Sequence, residues 1–180
     1  YGNRMDRFLA CIAYLDGKHP SLVMCRGYYT RTVLAAWDLN DKKLVKRWVF
    51  DSNDPGNKPY AGQGNHNLTV TDVDDDGKDE IVYGQMTVDD NGKGLYTTGI
   101  GHADALHVSD LDPQRPGLEV FSIQERFGDA GANFRDAKTG EIIWKKSSVK
   151  AGDDGEGPGR GLALDVDPRY PGFESWVAGA

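Results

Sequence analysis

The sequence lacks the features of a membrane protein and of a disulfide-rich protein. No stretch approaches the roughly 18 consecutive apolar residues that a membrane-spanning helix needs. The two cysteines, Cys11 and Cys25, are too few for a disulfide scaffold. They lie in two neighbouring predicted strands, where buried free thiols are the favoured interpretation and a disulfide is the alternative. We therefore expect neither a membrane partner nor a disulfide framework.

The chain also has fewer basic residues than acidic ones. The chain has 21 Lys and Arg against 28 Asp and Glu, which gives a formal net charge of -7. Nucleic acids and anionic membranes attract basic surfaces, so this balance argues against both as partners. The sequence also lacks an initiator methionine, a signal-peptide pattern and sustained helical periodicity. We therefore expect an all-β piece of a longer protein.

One plan repeats along the chain: an alternating strand, Asp-x-Asp, a turn, and an acidic residue that opens the next strand. The first aspartates of successive copies are 38 and 55 residues apart, from Asp72 to Asp110 and from Asp110 to Asp165. The three copies are Leu68–Asp74 with Glu80–Tyr83, Leu106–Asp112 with Glu119–Phe121, and Leu162–Asp167 with Glu174–Trp176. A degenerate fourth copy precedes them at Phe8–Ala13 and Ser21–Met24.

Further hairpins extend two of these units. Val33–Asp38 leads to a strand ending on Trp48, and Asn133–Asp136 leads to one ending on Trp144. Four strands per repeat at this spacing are typical of β-propeller blades. The predicted blades span residues 7–51, 66–99, 104–147 and, incompletely, 160–180. Three to four blades do not close a ring, so the propeller is predicted to be partial.

The segment from Asp72 to Glu80 predicts a calcium loop. Carboxylates at its first, third and fifth positions, Asp72, Asp74 and Asp76, can converge on one hard cation, and Asp79 or Glu80 can complete the site. An EF-hand would need Glu where Tyr83 stands, and strands flank this loop, so it resembles the loops of integrin-type propellers. The alternative is a polar hairpin without an ion.

Two later loops keep part of this pattern. Each retains the first and third carboxylates and the following glutamate, and backbone carbonyls could complete each site. A plain Asx-turn is the alternative. The predicted ligands are Asp110, Asp112 and Glu119 in one loop, and Asp165, Asp167 and Glu174 in the other.

The residues just before the first strand of each repeat should share one rim of a propeller. His66, His102, Asp104 and Arg160 occupy these places, and Glu125 follows a second strand at the same end. Imidazoles, carboxylates, an arginine and a cation suit proton abstraction next to a uronate carboxylate, followed by β-elimination. The alternatives are ordinary polar loops, or two carboxylates serving hydrolysis.

Several long motifs resemble the rhamnogalacturonan lyases of polysaccharide lyase family 11. They are Tyr1–Phe8, Arg26–Val33, Gly64–Leu68, Gly157–Gly161 and Asp165–Tyr170. The resemblance implies an eight-bladed calcium-binding propeller that cleaves rhamnogalacturonan I by β-elimination. It also implies a secreted or periplasmic, monomeric protein that is longer than this chain.

The resemblance further implies the roles of individual residues. His66, His102, Asp104 and Glu125 look like the residues that hold calcium in the cleft. Arg160 would bind the substrate carboxylate or stabilise the transition state, so Arg160, His66 and His102 are the predicted catalytic residues. Two other functions stay open: a calcium-stabilised carbohydrate-binding or adhesion propeller, and, more weakly, a quinoprotein-like dehydrogenase suggested by Gly140–Trp144.

Overall fold

The computed structural model describes residues 7–124, 131–147 and 158–178. This part of the chain contains β-strands and one short 3₁₀ helix, Lys58–Tyr60, so the all-β prediction is confirmed. None of its helices is long and apolar enough to cross a membrane. The strands form four antiparallel sheets in which each strand pairs with its neighbours in sequence.

The first sheet comprises β1 (Phe8–Ala13), β2 (Ser21–Arg26), β3 (Val33–Asn40) and β4 (Lys43–Asp51). The second comprises β5 (Thr69–Thr71), β6 (Glu80–Tyr83), β7 (Met86–Val88) and β8 (Gly94–Thr97). The third comprises β9 (Ala103–Ser109), β10 (Glu119–Gln124), β11 (Ala132–Asp136) and β12 (Ile142–Lys146). The fourth has two strands, β13 (Gly161–Leu164) and β14 (Glu174–Val177).

The burial of individual strands shows that the sheets are stacked. In β10 all six residues are buried, because the third sheet has another sheet on each side. In β2 burial alternates: Ser21, Val23 and Cys25 are buried, whereas Met24 and Arg26 are exposed. Alternation is expected of a sheet with only one covered face. Among the described residues, the first sheet is therefore an end of the stack.

Three hydrophobic cores join the four sheets in sequence order. Leu34 and Phe50 of the first sheet pack with Ile81 and Met86 of the second. The second and third sheets meet at Val82, Leu106 and Val120, and the third and fourth meet at Phe121, Ile123 and Ala163. No core spans more than two adjacent sheets in the described residues, which is the pattern of a repeat protein.

An aromatic side chain on the fourth strand of one sheet packs against a glycine of the next. Trp48 of β4 covers Gly92 and donates its indole N–H to the carbonyl of Asp90 at 2.8 Å. Tyr96 of β8 packs against Gly140 in the same way. A Cβ at either glycine would lie under 3.0 Å from the aromatic ring, so these positions require glycine.

The repeat places two kinds of loop at opposite ends of the sheets. The Asp-x-Asp loops connect the first strand to the second in the last three sheets. The residues that precede β5, β9 and β13 lie at the other end of these first strands. The repeat in the sequence predicted this arrangement. The arrangement brings His66, His102 and Arg160 to the same end of three consecutive sheets.

Candidate functional site

Four of the predicted site residues meet at that end of the sheets. One oxygen of Asp104, Oδ1, lies 3.1 Å from Nε2 of His66 and 3.1 Å from Nε2 of His102. The other oxygen accepts a hydrogen bond from Nη1 of Arg160 at 3.0 Å. We call His66, His102, Asp104 and Arg160 the histidine cluster. Glu125, predicted as a further ligand, lies outside the described residues.

Two tyrosines that the sequence did not assign to the site complete its wall. The hydroxyl of Tyr28 is 3.0 Å from Nδ1 of His66, and its ring stacks on His102 with centroids 5.1 Å apart. The hydroxyl of Tyr29 is 3.3 Å from Nε2 of His66. Both tyrosines come directly after β2, at the same end of the sheets as the histidine cluster. This position after β2 is the sequence feature that could have assigned them to the site.

The tautomer of His102 makes the cluster suitable for a cation. Its Nδ1 lies 2.8 Å from the carbonyl oxygen of Gly64, which can only accept, so Nδ1 carries the proton. Nε2 of His102 faces Oδ1 of Asp104, so this nitrogen and this oxygen could both act as ligands of a cation placed between them. The orientation is the one seen in metal-binding histidines, whose second nitrogen donates to a backbone carbonyl.

The pKa of Asp104 reflects competing effects. Burial would raise it, but the hydrogen bond with His102 and the positive charges of His66, His102 and Arg160 hold the pKa below its usual range. The carboxylate is therefore ionised at neutral pH. It gives the cluster a fixed negative charge between two imidazoles and a guanidinium.

The first Asp-x-Asp loop forms a second candidate site. Ligand oxygens of Asp72, Asp74 and Glu80 lie within 4.8 Å of one another, as do those of Asp76, Glu80 and Asp90. Sequence reasoning missed Asp90, because it comes from the turn between β7 and β8 and carries no motif. Buried oxygens of Asp74 and Glu80, Oδ1 and Oε1, have no hydrogen-bond partner. Buried polar atoms are rarely left unpaired, so these two oxygens fit a cation.

Glu80 is the most perturbed carboxylate of this acidic loop. Burial is the main cause that raises the pKa of Glu80 to about 8; the hydrogen bond from Val73 opposes it, and the charges of Asp74, Asp72 and Asp76 act in the same direction as burial. A cation beside this carboxylate would reverse the shift.

Lys78 separates the two halves of the acidic loop. Its Nζ lies 2.7 Å from Asp76 and 3.3 Å from Asp90. A lysine ammonium thus already neutralises Asp76 and Asp90, whereas no basic side chain of the described residues forms an ion pair with Asp72, Asp74 or Glu80. The Asp72–Asp74–Glu80 group is therefore the better place for a metal ion.

The two later loops are built differently. Glu119 accepts hydrogen bonds from the N–H groups of Leu111 and Asp112 at 3.0 and 3.1 Å, and Glu174 accepts the equivalent pair from Val166 and Asp167. Neither loop gathers three ligand atoms within 4.8 Å among the described residues. Metal binding at Asp110, Asp112 and Glu119, and at Asp165, Asp167 and Glu174, stays a prediction.

Comparison with known proteins gives a consistent result. The profile described as "Rhamnogalacturonan lyase family 11, C-terminal domain" matches residues 1–180. The chain is 59% identical over 181 aligned residues to rhamnogalacturonan endolyase YesW of Bacillus subtilis (strain 168), covering 100% of this chain and 28% of YesW. It is 62% identical over 180 residues to rhamnogalacturonan exolyase YesX of the same organism, covering 98% of this chain and 28% of YesX.

The crystal structures of both relatives superpose on this chain. The TM-score is 0.92 for exotype rhamnogalacturonan lyase YesX and 0.93 for YesW, with 60% and 58% sequence identity. The matches cover 98% and 99% of this chain, and 28% and 30% of the two structures. The chain thus spans less than a third of the length of these relatives. It belongs to rhamnogalacturonan lyase family 11, in the part that the profile describes as the C-terminal domain.

Proposed function

We propose that the complete protein containing this chain is a pectin-degrading lyase that cleaves rhamnogalacturonan I by β-elimination at galacturonic acid, in a calcium-dependent reaction. Family membership supports the activity. One structural observation carries it: the Asp104 carboxylate lies between two imidazoles and an exposed guanidinium at the shared end of three sheets. Relatives named as an endolyase and an exolyase are about equally similar to this chain, so we assign neither mode.

Arg160 is the residue we propose to bind the galacturonate carboxylate. Its side chain is 71% exposed, and one nitrogen is engaged by Asp104. A guanidinium has five N–H donors in a planar fork, so donors remain for a second carboxylate. Asp104 thus holds the Arg160 guanidinium close to the two histidines. The galacturonate carboxylate would bind beside this guanidinium.

The residues proposed to hold a catalytic cation are His66, His102, Asp104 and, outside the described residues, Glu125. Tyr28 orients His66 and the Gly64 carbonyl orients His102, so both rings are fixed before a cation arrives. When bound, calcium would neutralise the uronate and stabilise the negative charge that develops as the adjacent proton is removed. We assign no residue of this chain as the base.

The Asp72–Asp74–Glu80 group is proposed as a structural calcium site. Its ligands are all oxygens, which is the preference of this ion, and it lies on the turn between β5 and β6. The histidine cluster is at the other end of the same sheet. Calcium here would stabilise the second sheet rather than contact the substrate.

We propose that the four sheets are consecutive blades of a β-propeller, eight-bladed in the complete protein. Supporting this, the outermost strand β12 carries Trp144, in the position where Trp48 and Tyr96 cover the next sheet. Trp144 lines an open groove of about 590 Å³ with Phe121 and Trp176. The two-stranded fourth sheet leaves this groove uncovered, which is where further blade strands would pack.

The proposed location is outside the cytoplasm, secreted or periplasmic, with the protein acting as a monomer. The support is the substrate class, because a plant cell-wall polysaccharide reaches a secreted enzyme more readily than a cytoplasmic one.

Incubating the complete protein with rhamnogalacturonan I tests this function. We expect the ultraviolet absorbance of unsaturated uronate products to rise, EDTA to abolish the rise, and added calcium to restore it. Arg160→Ala should reduce turnover strongly, because the substrate carboxylate loses its partner. Saturated products would indicate hydrolysis, and full activity in EDTA would exclude the calcium-dependent mechanism. Restoration by zinc but not by calcium would reassign the cation, since two imidazoles and a carboxylate also suit zinc.

A further inference from the structure

Arg135 of β11 is a fully buried cation with neutral partners. Its side chain is 0% exposed and donates to the Gln85 amide oxygen at 3.0 Å, to the Asn133 amide oxygen at 3.1 Å and to the carbonyl of Gly84. In the part of the chain that the structure describes, no carboxylate pairs with it. Burying a charge without an opposite charge is costly, so packing alone does not account for an arginine here.

Arginine is a donor only, and this fixes the direction of the hydrogen bonds beyond it. Because Arg135 donates to Oε1 of Gln85, the amide nitrogen of Gln85 must point the other way. It donates to the hydroxyl of Ser122 at 2.8 Å and to Oε1 of Gln124 at 3.0 Å. Gln124, accepting at its oxygen, then presents its own amide nitrogen to the next partner.

That partner is the residue before His102. The amide nitrogen of Gln124 donates to the carbonyl of Gly101 at 2.9 Å, and the N–H of Gly101 donates to Oε1 of Gln63 at 3.0 Å. The backbone N–H of Gln85 in turn donates to the carbonyl of Gln63 at 2.7 Å. Gly101 is therefore held on both sides by two glutamines, and both of these contact Gln85.

Gly101 needs this support because it has no side chain to hold it. Its φ is +103°, a conformation that glycine adopts readily, and a Cβ placed there would meet nothing within 4 Å. Its peptide orientation thus depends on its hydrogen bonds. A rotation at Gly101 would move the ring of His102 away from the Gly64 carbonyl and from Asp104.

We propose that Arg135, Gln85 and Gln124 form a positioning relay for His102. The donor-only guanidinium sets the orientation of both amides, and the amides hold the Gly101 peptide so that the imidazole faces Asp104. The effect on catalysis rests on the proposed lyase function, whereas the effect on the geometry of the His102 ring does not.

Gln85→Glu in the complete protein separates positioning from stability. The carboxylate gives Arg135 an opposite charge, so the melting temperature should equal or exceed that of the wild type. It cannot donate to Gln124, which then turns its nitrogen toward position 85 and its oxygen toward the Gly101 carbonyl. We expect turnover to fall by about 10-fold or more, as is typical of changes behind a metal-binding histidine. The ring-nitrogen NMR signal of the His102 Nδ1–H tautomer should shift or broaden.

Ser122→Ala is the matched control. It removes a buried hydrogen bond of Gln85 that does not lead to Gly101, so turnover and the His102 signal should stay near wild type. Gln124→Met removes the hydrogen bonds of Gln124 with Gln85 and with the Gly101 carbonyl, and it tests the relay if Gln85→Glu does not fold. If Gln85→Glu leaves the His102 signal and turnover unchanged, the relay is overturned. If Gln85→Glu does not fold, the same result in Gln124→Met overturns it. Losses in Ser122→Ala equal to those in the relay variants would also overturn it. A wild type without lyase activity would overturn the proposed function, and the NMR comparison would still test the relay.

Discussion

The two candidate cation sites of this chain are built in opposite ways. The acidic loop takes Asp72, Asp74 and Glu80 from one turn. The histidine cluster takes side chains from residues 66 to 160, carried to one place by three sheets. The first site is local and has only acidic ligands, whereas the second is assembled by the tertiary fold and mixes both signs of charge.

This difference in charge sets what each site needs. In the acidic loop the carboxylates repel one another, and burial raises the pKa of Glu80 to about 8, so the loop is strained without a cation. In the histidine cluster burial would raise the pKa of Asp104, but the hydrogen bond with His102 and the positive charges of His66, His102 and Arg160 hold it below its usual range, so the charge of Asp104 is balanced within the cluster. The loop should therefore govern stability, and the cluster should govern turnover.

Asp104→Asn should produce the largest effect. The amide keeps the shape of the side chain but removes the charge shared by His66, His102 and Arg160. We expect turnover on rhamnogalacturonan I to fall by about 100-fold, at the upper end of the range for groups that hold a metal-binding histidine. The rate of unsaturated product formation measures it. The melting temperature should change little, because nearby positive groups can bond to the amide oxygen.

Asp167→Asn is the control for this comparison. Asp167 also pairs with an arginine, Arg169, but on an exposed loop, where an ion pair contributes little. Its turnover should match that of the wild type. If Asp104→Asn retains full turnover, the histidine cluster is not the active site.

Glu80→Gln should produce the next largest effect, and on stability. Calcium at 100 times its dissociation constant should stabilise the wild type by about 2.7 kcal/mol relative to EDTA. The variant should lose most of this difference, because it removes the buried charge that an ion would neutralise. Thermal melting of the complete protein with calcium and with EDTA measures it, and turnover at saturating calcium should be nearly unchanged.

Glu119→Gln occupies the same place in the third sheet and is the matched variant. Glu119 is also buried, but its loop gathers no close group of three ligands in the described residues. It should keep the calcium-dependent stabilisation. Equal losses in Glu119→Gln and Glu80→Gln would remove the distinction between the two loops.

The same contrast explains what the sequence could predict. The repeated Asp-x-Asp pattern located the first two strands of the last three sheets and the carboxylates that the acidic loop brings together, because strand alternation and turn chemistry are short-range properties. It also indicated which residues share one end of the sheets, since the repeat fixes where each first strand begins. His66, His102, Asp104 and Arg160 were found in this way.

Residues without a repeated position were missed. Asp90 joins the acidic loop only because β7 and β8 turn back beside it. Tyr28 and Tyr29 contact the histidines from the first sheet, across roughly 40 residues of sequence. Arg135 lies on a strand that reads as an ordinary hairpin, and its burial depends on the sheet stacked against it. Long-range packing determines all four positions, and no local pattern encodes it.

The pH dependence of stability in EDTA should show the smallest of the three effects, because relaxation and water penetration relieve part of the burial of Glu80. Its pKa rises from 4.5 in the unfolded chain to about 8 in the folded one, so the folded state binds the proton more tightly. The stability that Glu80 contributes through this bound proton is fully present below pH 4.5 and is lost as pH rises toward 8. In EDTA, the wild type should therefore lose stability relative to Glu80→Gln across this range, and excess calcium should suppress the loss. Parallel melting curves for the two proteins from pH 5 to 8 in EDTA would show that the carboxylates of the acidic loop are not strained without a cation.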